Sequence, residues 1–157
     1  MQRRRQSGLT TVELLVALAA LIVLVSVAVP LARWDEKRRR EVELRWELRM
    51  IREAIDEYKK AADDGRIQQK DVDQKHLPLD LDELVNGVDV IDPATGVPRK
   101  VSYLQRIPVD PFTAEAEWGM RSYQDDWDAT SWGGENLYDV YSLSDGKALD
   151  GTYYRDW

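Results

Sequence analysis

Few residues in this chain could do chemistry. Glu13 is the first, a carboxylate inside an otherwise uncharged run from Leu9 to Ala32. An ionised carboxylate in hydrocarbon is costly unless paired, so a residue of this kind is a functional candidate. The single histidine, His76, has no second histidine and no cysteine to join it, so a plain loop residue is the expected role. Asp125, Asp126 and Asp128 form an acidic cluster, and a solvated loop is the simpler reading. No nucleophile has a histidine partner in a motif context, no glycine loop is built for phosphate, and no zinc spacing is present. The expectation is a protein that is not an enzyme, in which Glu13 works electrostatically.

Leu9–Ala32 must position Glu13. It has 24 residues with one formal charge. At a helical rise of ~1.5 Å per residue it reaches ~36 Å, enough to cross a hydrocarbon core of ~30 Å. It is apolar on every side, and a soluble domain of this size could hardly bury such a helix all round. Pro30 removes a backbone donor, so a kink or a locally melted stretch is expected near Ser26–Pro30. A proline that simply marks the end of the span is the alternative.

Beyond the span, Leu44, Leu48, Ile51, Ile55, Tyr58 and Ala62 recur at steps of three and four, one apolar stripe on a helix. Arg39 with Glu43, Arg49 with Glu53 and Asp56 with Lys60 stand at pairing distance on the solvated side. Gly65 suits a left-handed cap, so one helix from about Thr10 to Asp63 is expected. Arg66–His76 reads as loop. Leu77–Val85 reads as a short helix that Asp80 can cap, with Glu83 completing a capping box and Leu81, Leu84 and Val85 facing inward. Val88–Lys100 holds Pro93, Gly96 and Pro98 and reads as loop or turn. Ser102–Ile107, Gly119–Gln124 and Leu137–Leu143 read as short strands. The second half is rich in tryptophan and tyrosine, and core packing is their default use.

The chain has 157 residues and a formal net charge of −7. Removal of Met1–Gly8, which carries Arg3, Arg4 and Arg5, makes that −10. So acidic a body is a poor candidate for nucleic acid. It has no cysteine, so the fold cannot rest on disulfides.

Ser7-Gly8-Leu9-Thr10-Thr11-Val12-Glu13-Leu14-Leu15-Val16, behind three arginines, closely resembles the type III signal of type IV pilins and type II secretion pseudopilins. The resemblance implies cleavage by a prepilin peptidase between Gly8 and Leu9, methylation of the Leu9 amine, and Glu13 as the fifth mature residue. The family usually has phenylalanine where Leu9 stands. Tyr103–Phe112 (YLQRIPVDPF) and Tyr138–Ser142 (YDVYS) resemble segments of the major, G-type pseudopilins. That implies a pilin-like α+β fold, a long helix packed on a small antiparallel sheet. Residues 1–8 would be a cytoplasmic leader, 9–32 the membrane and filament-core helix, 33–64 its amphipathic continuation, and 65–157 a periplasmic domain. It also implies unwinding at Pro30 in assembled filaments.

The implied role is a subunit stored in the bacterial inner membrane and assembled into a periplasmic pseudopilus for type II secretion. The partners would be further copies of itself, minor pseudopilins, the prepilin peptidase, the inner-membrane secretion platform and the lipid bilayer. In the assembled state Glu13 of one subunit would neutralise the Leu9 amine of its neighbour. Counting positive charges alone would invert the topology, because Arg33, Lys37, Arg38, Arg39 and Arg40 outnumber the leader's three; the resemblance places the leader in the cytoplasm. Major pseudopilins also bind calcium in their final loop. Here that implies Ser142, Asp145 and Asp150, with the carbonyls of Leu143 and Ala148, against a plain pair of Asp-Gly turns. A type IV pilin or a minor pseudopilin is the nearest alternative. A membrane-anchored periplasmic binding module is the alternative from another class.

Overall fold

A computed structural model describes residues 10–68 and 72–157. The chain is α+β and separates into two compact units, one ending at Arg39 and one beginning at Arg40. Helix α1 covers Thr11–Asp63, without a break at Pro30. The melted stretch expected near Ser26–Pro30 is therefore absent in this conformation. Ser26 Oγ instead donates to the Val23 carbonyl at 2.7 Å, a side-chain bond one turn back along the helix. Arg39 pairs with Asp35 at 2.7 Å, one turn before it, rather than with Glu43 one turn after it.

In the unit that begins at Arg40, every residue of the predicted stripe is buried: Leu44, Leu48, Ile51, Ile55, Tyr58 and Ala62. The helix ends as glycine chemistry dictates. Gly65 sits at φ 71°, its N–H donates to the Ala62 carbonyl at 2.9 Å, and Arg66 N–H donates to the Ala61 carbonyl at 2.9 Å. That pair of bonds closes the last carbonyls of the helix. His76, expected as a plain loop residue, has its Nδ1 2.6 Å from Asp63 Oδ1, beside the Lys59–Asp63 pair. These two partners hold the Asp63 carboxyl below the usual carboxylate range, His76 more than Lys59.

Helix α2 covers Leu81–Asn86 and is capped as predicted, with Asp80 accepting from Glu83 N–H at 2.8 Å. The Glu83 carboxylate reaches back one residue further than a capping box requires, to Leu79 N–H at 2.6 Å. Leu81 and Leu84 are buried and Val85 half-buried.

The strands differ from expectation. Val88–Lys100 is not all loop: β1 (Val88–Ile91) and β2 (Pro98–Val101) form an antiparallel hairpin, with Val88 opposite Val101 and Ile91 opposite Pro98. Ser102–Ile107 is not a strand. Its start is bound to α2 instead, where Tyr103 and Leu104 N–H both donate to the Leu84 carbonyl. Gly87 permits this approach, since a Cβ there would lie 2.8 Å from the Val101 carbonyl oxygen. The other two strands exist but are shorter than expected: β3 (Gly119–Arg121) pairs antiparallel with β4 (Asp139–Tyr141). One core unites the stripe of α1 with Leu77, Leu84, Val90, Leu104, Trp118, Leu137, Val140 and Tyr154. Of the tryptophans, Trp118 is buried in it, whereas Trp34, Trp46 and Trp127 are exposed.

Candidate functional site

The first candidate lies at the start of α1. Gly8 and Leu9, the implied cleavage residues, lie outside the described residues. Thr10 caps the helix: its Oγ1 accepts from Glu13 N–H at 3.2 Å and its carbonyl from Leu14 N–H at 3.1 Å. This places the Glu13 carboxylate in the first turn, where the helix dipole favours negative charge. Its side chain is exposed. The nearest basic residue along the described helix is Arg33, twenty residues on and so ~30 Å away at ~1.5 Å per residue.

The side chains after Glu13 are uncovered. Leu14, Leu15, Val16, Leu18, Leu21, Ile22, Val23, Leu24, Val25, Val29 and Leu31 are all exposed, and this stretch is long and apolar enough to cross a membrane. Pro30 is exposed among them.

The second candidate is the closing loop, and the structure disperses its predicted donors. Ser142 is fully buried, and its hydroxyl donates to the Asp110 carboxylate and accepts from Ser144 N–H. Asp145 and Leu143 are exposed. The Ala148 carbonyl accepts from Gly151 N–H at 3.1 Å. Asp150 accepts from Thr152 N–H and Oγ1 at 3.0 and 2.6 Å, and its other oxygen lies 3.7 Å from Arg45. The Thr152 hydroxyl, then its N–H, holds the Asp150 carboxyl below the usual range. Among the described residues no three His, Cys, Asp or Glu side chains gather to hold a metal. Calcium needs roughly six to eight oxygens at once. As folded, the Ser142 hydroxyl and the Asp150 carboxylate already have protein partners and the Arg45 guanidinium stands beside Asp150, so calcium would have to displace these contacts.

Sequence reasoning missed the residues that tie the loop down. Glu41, on α1, is buried, and its Oε1 accepts from Leu149 N–H at 2.8 Å and from the Tyr154 hydroxyl at 3.1 Å. Burial, then this carboxylate, pushes the Tyr154 hydroxyl up from 10.0 to about 12. The Tyr154 ring stacks on Phe112 with centroids 4.0 Å apart. A signal was available, because extending the stripe back from Leu44 by one step of three lands on Glu41. Arg52 carried no such signal. Its guanidinium donates to Asp139, to the Val140 carbonyl and to the Trp157 carbonyl, joining α1, β4 and the tail. The Asp125 cluster serves as loop closure: Asp125 Oδ2 accepts from Ser122 and Gly133 N–H.

The order of elements is pilin-like: one long helix, apolar in its first part, then small antiparallel sheets. Compared with known protein families, curated proteins and solved structures, the chain matches none.

Proposed function

We infer that this chain is a structural pseudopilin: a subunit held in the bacterial inner membrane that assembles into a periplasmic filament of a type II secretion system. It acts by assembly rather than catalysis. The observation that carries the reading is the start of α1, an uncovered apolar helix with a lone carboxylate in its first turn and, among the described residues of that helix, no basic residue before Arg33. Copies stacked helix to helix would cover that surface. A free amine at Leu9 of a neighbouring copy would neutralise Glu13 in a dry environment, where an unpaired charge is costly. The signal-like residues Ser7–Val16 make the prepilin peptidase the enzyme that would release this amine. Minor pseudopilins and the inner-membrane platform are the further partners under this reading, and nucleic acid is not one.

Intact-mass measurement on protein from its native host tests it. The expected mass lacks Met1–Gly8 and carries one methyl group on Leu9. An uncut chain in cells with active peptidase would instead favour a plain membrane-anchored module. Glu13→Val should keep membrane insertion, since it makes the span more apolar. It should also abolish sedimentable polymer, and normal polymer from that variant removes the electrostatic account.

A further inference from the structure

Two exposed apolar patches in the unit that begins at Arg40 have no cover. On α1, Val42 and Trp46 are 60% and 59% exposed, one turn apart, on the side of the helix opposite Leu44, Leu48 and Ile51. Arg45 and Arg49 lie along one side of them and Glu43 along the other. The other patch is Trp127, 86% exposed between exposed Asp126 and Asp128. The backbone of its loop is fastened at several points. Asp125 fastens both ends through Ser122 and Gly133 N–H, Arg121 Nε donates to the Ala129 carbonyl, and the Tyr141 hydroxyl donates to the Thr130 carbonyl. A loop held in place before binding loses little backbone freedom when it docks.

The two patches are complementary. One is an aromatic ring between carboxylates, the other an apolar ridge with two guanidiniums along one side. We propose that the Trp127 loop of one copy docks on the Val42–Trp46 ridge of the next, with Asp126 and Asp128 meeting Arg45 and Arg49. Because the patches differ, the contact is head-to-tail: each copy offers one and accepts the other, so it propagates rather than closes into a dimer. The inference rests on the filament reading and gives that filament a contact between its folded domains, separate from the one between apolar helices. Arg45 already stacks on Trp157 at 4.0 Å, so Arg49 is the cleaner residue to alter.

The chain has no cysteine, so engineered thiols report without background. Full-length Val42→Cys and Asp128→Cys copies, tagged differently, are co-expressed in membranes and oxidised mildly. The expected product is a mixed crosslink, at least about tenfold above that of an Asp82→Cys control on exposed α2, as a specific contact of ~1.4 kcal/mol or more requires. Arg49→Glu should lower it by about tenfold, and Asp126→Arg in the partner copy should restore it, since like charges oppose docking and opposite ones favour it. All these side chains are exposed, so unchanged melting of each variant confirms intact folding. Polymer that sediments normally without the crosslink overturns the docking and leaves the filament reading. Crosslink without polymer keeps the docking and removes the filament. Absence of both from the Val42→Cys and Asp128→Cys pair, with polymer absent from the unaltered chain as well, overturns both.

Discussion

The two parts of α1 differ in what surrounds them. From Val12 to Leu31 the helix has apolar side chains on all sides and buries none of those described. From Glu41 to Ala62 it has one apolar stripe, and that stripe is buried against α2, the hairpin and the tail. The same backbone thus serves two solvents. A stripe suits a one-sided protein core, whereas an all-round apolar surface needs cover on every side, which lipid or other copies can supply and one small domain cannot. Burial inside the chain therefore separates residues that stabilise the domain from apolar residues that the described fold leaves uncovered.

The largest expected effect breaks the comparison most directly. Leu48→Ala removes a buried side chain and should destabilise the domain by about 2–5 kcal/mol. Leu18→Ala, the same truncation on the uncovered part, should leave domain stability within about 0.5 kcal/mol. Denaturant melts of the full chain in detergent, followed by tryptophan fluorescence, read both. Equal losses would mean that the apolar part packs on the domain after all.

A smaller effect lies at the buried polar end of the stripe. Tyr154→Phe keeps the ring on Phe112 but removes the hydroxyl that donates to Glu41, and should cost about 1 kcal/mol at neutral pH. The pH profile sharpens the point. Tyr154 loses its proton near 10.0 when unfolded and near about 12 when folded. Its contribution is therefore complete below pH 10 and fades as pH rises toward the folded value. The variant should show a shallower alkaline loss of stability across that window. Some slope remains from Tyr103, which burial also raises. An unchanged alkaline limb would mean that Tyr154 is solvated in the folded chain.

Legibility in the sequence followed the same divide. The apolar span and the stripe were readable because periodicity alone decides them, and every predicted stripe residue is buried. Glu41 was not, because a carboxylate at a stripe position reads as an interruption until Leu149 N–H and the Tyr154 hydroxyl are seen to face it. The β1–β2 hairpin was hidden by its turn. Asp92 accepts from Ala94 and Thr95 N–H and makes a tight reversal out of the proline- and glycine-rich residues that argued for loop. Ser102–Ile107 has strand composition but extends no sheet, since the Leu84 carbonyl takes the N–H groups of Tyr103 and Leu104. Ser142 was read as a candidate ion ligand, and nothing in the local sequence pointed to its partner in the structure, Asp110, thirty-two residues earlier.

The smallest expected effect concerns that closing region. It is held from within the protein, by Glu41 on Leu149 and Tyr154, by Asp150 on Thr152, and by Ser142 on Asp110. Cations already stand near it, with Arg45 3.7 Å from Asp150 and Lys147 4.5 Å from the centre of the Tyr153 ring. A calcium ion would have to displace the Thr152 hydroxyl from Asp150 and lie beside a guanidinium. An ion that binds only the folded chain raises its stability by RT ln(1 + [L]/Kd), roughly 2.7 kcal/mol at about a hundredfold excess over Kd. With no fitted site that gain is absent, so the melting temperature should agree within about 1 °C between millimolar calcium and chelator. Asp150→Ala should show the same indifference. A calcium-dependent rise of several degrees, lost in Asp150→Ala, would show that the loop can rearrange around the ion and that its internal bonds are the weaker of two closures.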